Sequence, residues 1–552
     1  MPARASAQGE FTPPPPPGPA PTTPPLEEDV SSGVFAPPPA ELPTPQPIEE
    51  SEPVNQPAPP PPPPADEPAP PAEPAQEEAD QPQPEGEIEQ MRAFWASSYN
   101  EGYRNHAEVD ELIANVKRAN ANTVIVQMRR HGDSWYTRSI EPRAADPHLA
   151  PAAEFDALDY LIQKGHENGI KVHAWLVVTV TCRNHDALRG HPQHVCTAHG
   201  PGVEGPESWT TLTHSGTPVG DLDFGHPSAI HHMEVVVENL LHNYPQVDGV
   251  HFDFIRYSGR EFGYNPVSVE RFNRAYDLPA NNWPAPTDPA WSQWRRDRMT
   301  ELMRRLYIRS KAINFDVEVS IAAITWGGIG TYSPDDWPNS AAYNKVFQDW
   351  RAWLEEGIVD FAVPMQYFEE GKEPNRSWYN GWLNFGRDHT GTRAIVPGLG
   401  SWFNTPDQNL AQIQRALEPD EHGRYLSGVA FYAYHNLFVG SNFERRREFM
   451  DYLGATVFAQ PARAPAWPWV VSPTKGMVQG IATIDGEIIP DAQVSLIKDG
   501  QWVRDVTASV DGWYGAVELE PGTYAVLVKA ADGREAIYEG VSVVPGVVAH
   551  GS

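Results

Sequence analysis

The sequence predicts a (β/α)8 barrel, and three observations lead there. Between residues 90 and 458, β-branched or apolar runs alternate with stretches of helical spacing, and the alternation repeats eight times. Strands that alternate with helices build a parallel sheet, and eight such units close as a barrel with enlarged loops. A doubly wound open sheet would need a Gly-rich phosphate turn after its first strand, and none stands there.

The elements follow in order. Residues 92–97 form an aromatic and apolar first strand, and Val109, Leu112, Ile113 and Val116 have the spacing of a helix over 106–120. The β-branched run 123–129 is the second strand, 154–168 a helix stopped by Gly169, and 170–178 the third strand. A long loop containing Cys182 and Cys196 leads to a helix over 228–243, inside which His231 and His232 read as solvated surface. The fourth strand, 247–257, has Val250, Phe252 and Phe254 alternating with His251 and Asp253. Helices over 289–313, 342–356, 378–389 and 406–417 then precede strands over 317–324, 359–366, 394–399 and 428–434, and a helix over 443–453 closes the series.

The flanks differ in composition. Residues 1–89 hold seventeen acids and one base among Pro, Ala and Gln, which is half of the formal net charge of −32. Such a stretch buries no core and is expected to be a disordered tether of polyproline II character. Residues 459–474, rich in Pro and Trp, read as a linker, and the turn pairs Asp485-Gly486, Asp499-Gly500, Asp511-Gly512, Pro521-Gly522 and Asp532-Gly533 predict a small β-sandwich over 475–552. Neither half carries the basic patch that nucleic acid requires, and no apolar run is long enough to cross a membrane. Ala5-Ser6-Ala7 before Gln8 has the small-residue form of a signal-peptide end, and an acidic Pro-rich tether suits either a spacer that attaches the chain to a cell envelope or a solubilising tail. A disulfide between Cys182 and Cys196 would agree with export and two free thiols with the cytosol.

In a barrel of this kind the site lies at the C-terminal strand ends. There the second strand offers Gln127 and Arg129 with Asp133 beyond, the third His173 and Trp175, and the fourth His251 and Asp253 with Arg256 and Tyr257. The fifth ends in Trp326, the sixth in Gln366 and Tyr367 with Glu369 and Glu370 beyond, the seventh in Trp402 and the eighth in Tyr432, Tyr434 and His435. Aromatic faces stack on pyranose rings while amides and carboxylates take the hydroxyls, so this mouth suits a sugar chain and needs no cofactor. Hydrolysis requires a protonated acid and a second carboxylate. Asp253 is the first choice for one of them, unless it only holds Arg256 in a structural ion pair. Asp133, Asp223 within Gly220-Asp-Leu-Asp-Phe-Gly225, Glu369 and Glu370 remain open for the other. His173, His251 and Asp253 could instead ligate a metal, which is the reading of a metal-dependent hydrolase.

Taken together, Arg92-Ala-Phe-Trp95, Gln127-Met-Arg129 with Gly132-Asp133, His173-Ala-Trp175, Leu222-Asp-Phe-Gly225, Asp248-Gly-Val-His-Phe-Asp253 and Pro364-Met-Gln-Tyr367 resemble the glycosyl hydrolase-like family 10 of bacterial envelope proteins. The resemblance spans about 90–453. It implies a TIM barrel that hydrolyses β-linked glycan, with members acting on peptidoglycan strands stripped of their stem peptides. It carries the fourth-strand aspartate onto Asp253 and the Gly-Asp of the second loop onto Asp133. Many members have Asp-Asp or Asp-Glu after the His-Phe pair, whereas Phe254-Ile-Arg-Tyr follows Asp253 here. The last domain resembles a carboxypeptidase regulatory-like module through Ala492-Gln-Val-Ser-Leu496, Asp511-Gly-Trp-Tyr and Leu519-Glu-Pro-Gly-Thr-Tyr524, which implies a role in stability or cell-envelope attachment and no activity of its own. The expectation is therefore a secreted or envelope-bound glycoside hydrolase with Asp253 as acid or nucleophile and Asp133, Arg129, His173 and Gln366 positioning the sugar. Its rival from another class is a non-catalytic glycan-binding scaffold.

Overall fold

The structure is a computed structural model and describes residues 88–551 except 184–187, 189, 330–333, 390 and 392. The expected tether lies outside the described residues except at Ile88 and Glu89, which form a short strand instead.

Eight parallel strands close a barrel. They are β1 (Met91–Ala96), β2 (Thr123–Arg129), β3 (Lys171–Val177), β4 (Gly249–Asp253), β5 (Glu318–Ala323), β6 (Phe361–Gln366), β7 (Ala394–Ile395 and Gly398–Gly400) and β8 (Gly428–Tyr432). Each pairs with the next, and β8 pairs with β1 through Ala430 opposite Ala93. The outer layer consists of α1 (His106–Arg118), α2 (Ala157–Glu167), α3 (Pro227–Asn243), α4 (Pro289–Ile313), α5 (Trp350–Glu356), α6 (Asn375–Asp388), α7 (Pro406–Leu417) and α8 (Phe443–Ala455). Their starts are capped by side chains the sequence places just before them, such as Asn105, Asp156, Asp288 and the Thr405–Gln408 capping box. The strands sort their residues by period two. Val124, Val126, Val250 and Phe252 pack against the helices, whereas Met91, Ala93, Trp95, Ile125, Trp175, Phe361 and Val363 fill the barrel.

Three differences from expectation have local causes. The helix expected over 342–356 is two pieces, Ala341–Asn344 and Trp350–Glu356, because Phe347 takes φ +57° and Gln348 turns inward. Its amide accepts from Ile324 N (2.8 Å) and donates to Ala322 O (3.0 Å), which satisfies the end of β5. The seventh strand is interrupted before Gly398 by Pro397, which has no N–H to give the ladder. The fourth strand stops at Asp253 because Phe254 is left-handed (φ +52°), and this ends the strict alternation assumed as far as Tyr257. Phe254 thereby joins the residues packed inside the barrel rather than those outside it.

The stretch 459–474 packs against the N-terminal end of the barrel. Ala462–Arg463 pairs in parallel with Ile88–Glu89, Trp467 is buried with Met91 and Phe361, and Trp469 Nε1 donates to Asp360 Oδ1 (3.0 Å). Asp360 also forms a buried ion pair with Lys311 at 2.9 Å. The last module is a β-sandwich of a three-stranded and a four-stranded sheet around Val494, Leu496, Tyr514 and Val526. It docks on α4, where Arg305 meets Asp511 at 2.5 Å and stacks on Trp513, and Met477, Trp513, Val517 and Val548 join the barrel's helix layer. No helix among the described residues is long and apolar enough to cross a membrane.

Cys182 and Cys196 are joined by a disulfide, with Cα atoms 5.6 Å apart, in the loop after β3. They form a small cluster with Val195 and Trp209 that is separate from the main core. With the cysteines separated by 14 positions in sequence, closing the loop restricts the unfolded chain by about 3 kcal/mol. Reductant is therefore expected to lower the urea midpoint of the wild type and leave that of Cys182→Ser/Cys196→Ser unchanged. Equal midpoints with and without reductant in the wild type would show that the bond carries no stability.

Candidate active site

His251 stands at the floor of the mouth with both ring nitrogens engaged. Trp95 Nε1 donates to His251 Nε2 (3.2 Å), so that nitrogen must be the acceptor, and Nδ1–H is left to donate to Ser320 Oγ (2.9 Å). Burial, and then the neighbouring His173, push the His251 imidazole well below its usual value, which keeps it neutral. His173 lies one layer deeper, opposite Gly249, with Nε2 3.3 Å from Glu318 Oε2. A Cβ on residue 249 would stand 2.4 Å from His173 Nδ1, so this position requires glycine. The metal-site reading fails on this chemistry, since both His251 nitrogens are taken. Among the described residues no group of three or more His, Cys, Asp or Glu side chains could hold a metal ion.

Above this floor stands Asp253, 6% exposed. Its Oδ2 accepts from Trp175 Nε1 (3.2 Å) and its Oδ1 from Phe254 N (2.7 Å). Burial pushes its carboxyl up from the usual carboxylate range, and the positive charge of Arg256, with the two donors, only partly opposes this. Asp253 and Arg256 do not form the structural ion pair, because no N···O contact between them falls within 4.0 Å. The Arg256 guanidinium lies instead over the rings of Phe254 (4.3 Å) and Trp326 (5.1 Å).

An aromatic wall faces Asp253. Tyr432 is its hub, with ring centroids 6.0 Å from Trp95, 6.3 Å from Trp175, 5.3 Å from Tyr367 and 5.4 Å from Trp402. Tyr367 and Trp402 are 5.0 Å apart. Burial raises the Tyr367 hydroxyl well above its usual value, with Tyr432 and Asp253 adding to the shift, so Tyr367 senses the Asp253 carboxylate. On the opposite flank Gln127 Oε1 accepts from Ser98 N (3.0 Å) and Ser98 Oγ (2.8 Å). Asp133 is 4% exposed and accepts from His131 N through Oδ1 (2.9 Å), while its Oδ2 is unengaged among the described residues. His131 beside it is pushed down to about 4 by burial and then by Arg130.

Other residues read from the sequence do not join this cluster. Arg129 is sealed in an ion pair with Glu141, which also binds His232, so His232 belongs to a buried network and not to solvated surface. Asp223 holds a turn, accepting from Gly225 N, Asn265 N and Ser268 Oγ. Tyr257 and Tyr434 belong to the helix layer, the first against Phe347 and the second bound by Asn115 and Arg446. Glu369 is partly exposed beside Lys372, and Glu370 is claimed by Arg376 and Arg415. Gln366 is buried with neither amide atom paired.

The sequence reading missed Asp221, which lies two residues before Asp223 at the end of the short strand Pro218–Leu222. Its Oδ2 accepts from Arg183 Nη2 (2.7 Å) and Ser258 Oγ (2.6 Å), and its Oδ1 lies 2.6 Å from Arg183 Nε in an ion pair without a hydrogen bond. Trp95 was also missed as a site residue, although its period-two register with Met91 and Ala93 marks it as inward.

A family model described as Glycosyl hydrolase-like 10 matches residues 90–376. Among curated proteins, glycosyl hydrolase DigH of Escherichia coli (strain K12) is 25% identical over 281 residues, 48% of this chain and 58% of that protein. Glycosyl hydrolase YngK of Bacillus subtilis (strain 168) is 20% identical over 394 residues, 66% of this chain and 69% of that protein. The chain thus spans a little over half the length of the DigH proteins it matches. Of solved structures, the PgaB (BpsB) glycoside hydrolase domain from Bordetella bronchiseptica aligns with a TM-score of 0.45 at 15% identity, covering 66% of this chain and 99% of that one. With its family match extending over more than half of its length, this chain belongs to the glycosyl hydrolase-like 10 family.

Proposed function

We propose that the chain is a glycoside hydrolase that cleaves β-linked glycan of the bacterial cell envelope, peptidoglycan strands in particular, with Asp253 as the general acid. The observation that carries this reading is the Asp253 carboxyl, raised by burial and set against the wall of Tyr432, Tyr367 and Trp402. A raised carboxyl keeps its proton at mild pH and can pass it to a leaving glycosidic oxygen, while the rings stack on the sugar. Asp133 is the partner carboxylate, activating water or attacking the anomeric carbon. Asp221 is tied to Arg183 and Ser258 and Glu370 to Arg376 and Arg415, and Glu369 is partly exposed, whereas Asp133 is buried and keeps one oxygen unengaged. The relatives named glycosyl hydrolase support the reaction class, and the disulfide agrees with an exported protein.

The test is release of soluble fragments from purified glycan strands, with and without stem peptides. The expected result is release from wild type that is unaffected by a chelator and declines as pH rises through the elevated Asp253 value, because the acid form is then lost. Inhibition by chelator would restore the metal reading. Binding without release would make the chain a glycan-binding scaffold.

A further inference from the structure

The turn that carries Asp133 is braced by the loop after β3. Gly132, just before Asp133, is left-handed (φ +74°), and glycine moves between backbone regions more freely than any other residue. Here the space beside it is closed from two sides, since a Cβ on residue 132 would stand 2.9 Å from Thr181 Cγ2 and 3.0 Å from His194 Cε1. Thr181 immediately precedes Cys182, and His194 lies two residues before Cys196. The Cys182–Cys196 disulfide therefore joins the two walls that enclose the turn. Cys182 is itself fixed to the strand Pro218–Leu222, its N–H donating to Gly220 O (2.6 Å).

His194 is 1% exposed and engaged at both ring nitrogens. Its Nδ1 accepts from Cys196 N (3.2 Å), so the proton is on Nε2, which donates to His131 O (2.9 Å). The His131 N–H donates in turn to Asp133 Oδ1 (2.9 Å). His131 is thus held at both ends of its backbone, its carbonyl by His194 and its N–H by the carboxylate that the turn presents. Holding the carbonyl keeps the peptide between His131 and Gly132 from rotating. We propose that His194 is a positioning residue that aims the unengaged oxygen of Asp133, and that the disulfide seats it. The inference rests on the reading of Asp133 as the partner carboxylate. Misplacing a reacting group by about 1 Å can cost about 10²-fold in rate. A dithiol reductant breaks the S–S bond, leaves one hydrogen on each sulfur and closes into its own disulfide, after which no covalent bond joins the two walls.

The experiment measures kcat and KM for fragment release from glycan strands free of stem peptides, using the full chain and five variants. His194→Leu keeps bulk against Gly132 but has no N–H, and its kcat is expected to fall about ten-fold to 10²-fold with KM within about two-fold of wild type. His194→Gln keeps a donor with about the reach of Nε2 and is expected to recover most of kcat. His194→Asn keeps only the acceptor for Cys196 N, as a turn-forming Asn does, and is expected to behave like His194→Leu. A role confined to starting the short helix Val195–His199 would reverse these two, with Asn recovering activity and Gln not. Cys182→Ser/Cys196→Ser, and wild type under dithiol, are expected to lose kcat with KM kept. Melting temperatures establish that each protein is folded under assay, and the Gln and Asn comparison stands even where His194→Leu does not fold. Asp133→Asn, run alongside, separates the failures. Wild-type kcat in His194→Leu while Asp133→Asn is inactive, or recovery by Asn in place of Gln, would overturn the positioning role alone. Full activity of Asp133→Asn would overturn the partner-carboxylate reading and the positioning role with it. Absence of release by the wild type would overturn the hydrolase reading on which both depend.

Discussion

Replacing Asp253 by Asn is expected to lower glycan hydrolysis by about 10²-fold to 10⁴-fold, the range a positioned general acid contributes. Asn has nearly the same shape but no proton to deliver. One of the two donors now aimed at the carboxylate, Trp175 Nε1 or Phe254 N, will face the new amide NH2 group, so a single hydrogen bond is lost as well. A pH series of melting temperatures separates lost chemistry from lost structure. The wild-type carboxyl has its folded value raised above the unfolded one. Between those two values the folded state binds more protons, and wild-type stability falls as pH rises. Asn does not titrate. The melting temperature of Asp253→Asn relative to wild type is therefore expected to climb from about pH 4 upward and to level off once the pH exceeds the raised folded value. A difference that stays flat with pH would show that Asp253 is not raised, and the acid assignment would go with it.

How far the sequence revealed this site depends on how local each determinant is. Eight strand-helix units were legible because parallel strands covered on both faces read as continuous apolar runs, and the caps at Asn105, Asp156 and Thr405 lie just ahead of their helices. Asp253, Trp175 and Tyr432 were found by period-two alternation towards strand ends, Tyr367 and Trp402 as aromatic residues just beyond such ends, and the structure brings these five together. Alternation failed where the backbone leaves the extended region. Phe254 at φ +52° changes the register of all that follows, which is why Tyr257 was read as facing the mouth and is found among the helices. Long-range pairing was invisible in another way. Nothing near Trp467 announces that it packs inside the barrel, and nothing near Arg305 announces Asp511 in the last module. Asp221 and Asp223 lie two residues apart on one loop, and only the folded loop shows that Arg183 holds the first while a turn employs the second.

Removal of the Glu141 charge, as Glu141→Gln, is expected to destabilise the protein by about 3–5 kcal/mol, the usual cost of stranding one member of a buried ion pair. Arg129 leaves the end of β2 and meets Glu141 through Nε–Oε2 at 2.7 Å and Nη2–Oε1 at 2.8 Å, and His232 on α3 adds a contact at 3.0 Å to Oε1. Neither side chain of the ion pair is more than 1% exposed. The network thus ties a strand end, the loop that carries Asp133 and a helix of the outer layer into one unit beside the mouth. Burial alone would push the Glu141 carboxyl up, but Arg129 and His232 override it and hold it well below the usual range. A depressed carboxylate stabilises the fold above its unfolded value and loses that contribution as pH falls through its folded value. The advantage of wild type over Glu141→Gln should accordingly be full at neutral pH and shrink once the solution is more acidic than about pH 4. Chemical denaturation of both proteins at pH 7 and pH 3 measures this directly. Equal midpoints at pH 7 would mean that Arg129 finds another partner when Glu141 is neutralised. The sequence reading of Arg129 as a residue that positions sugar would then regain its basis, because its guanidinium would be free to turn towards the mouth.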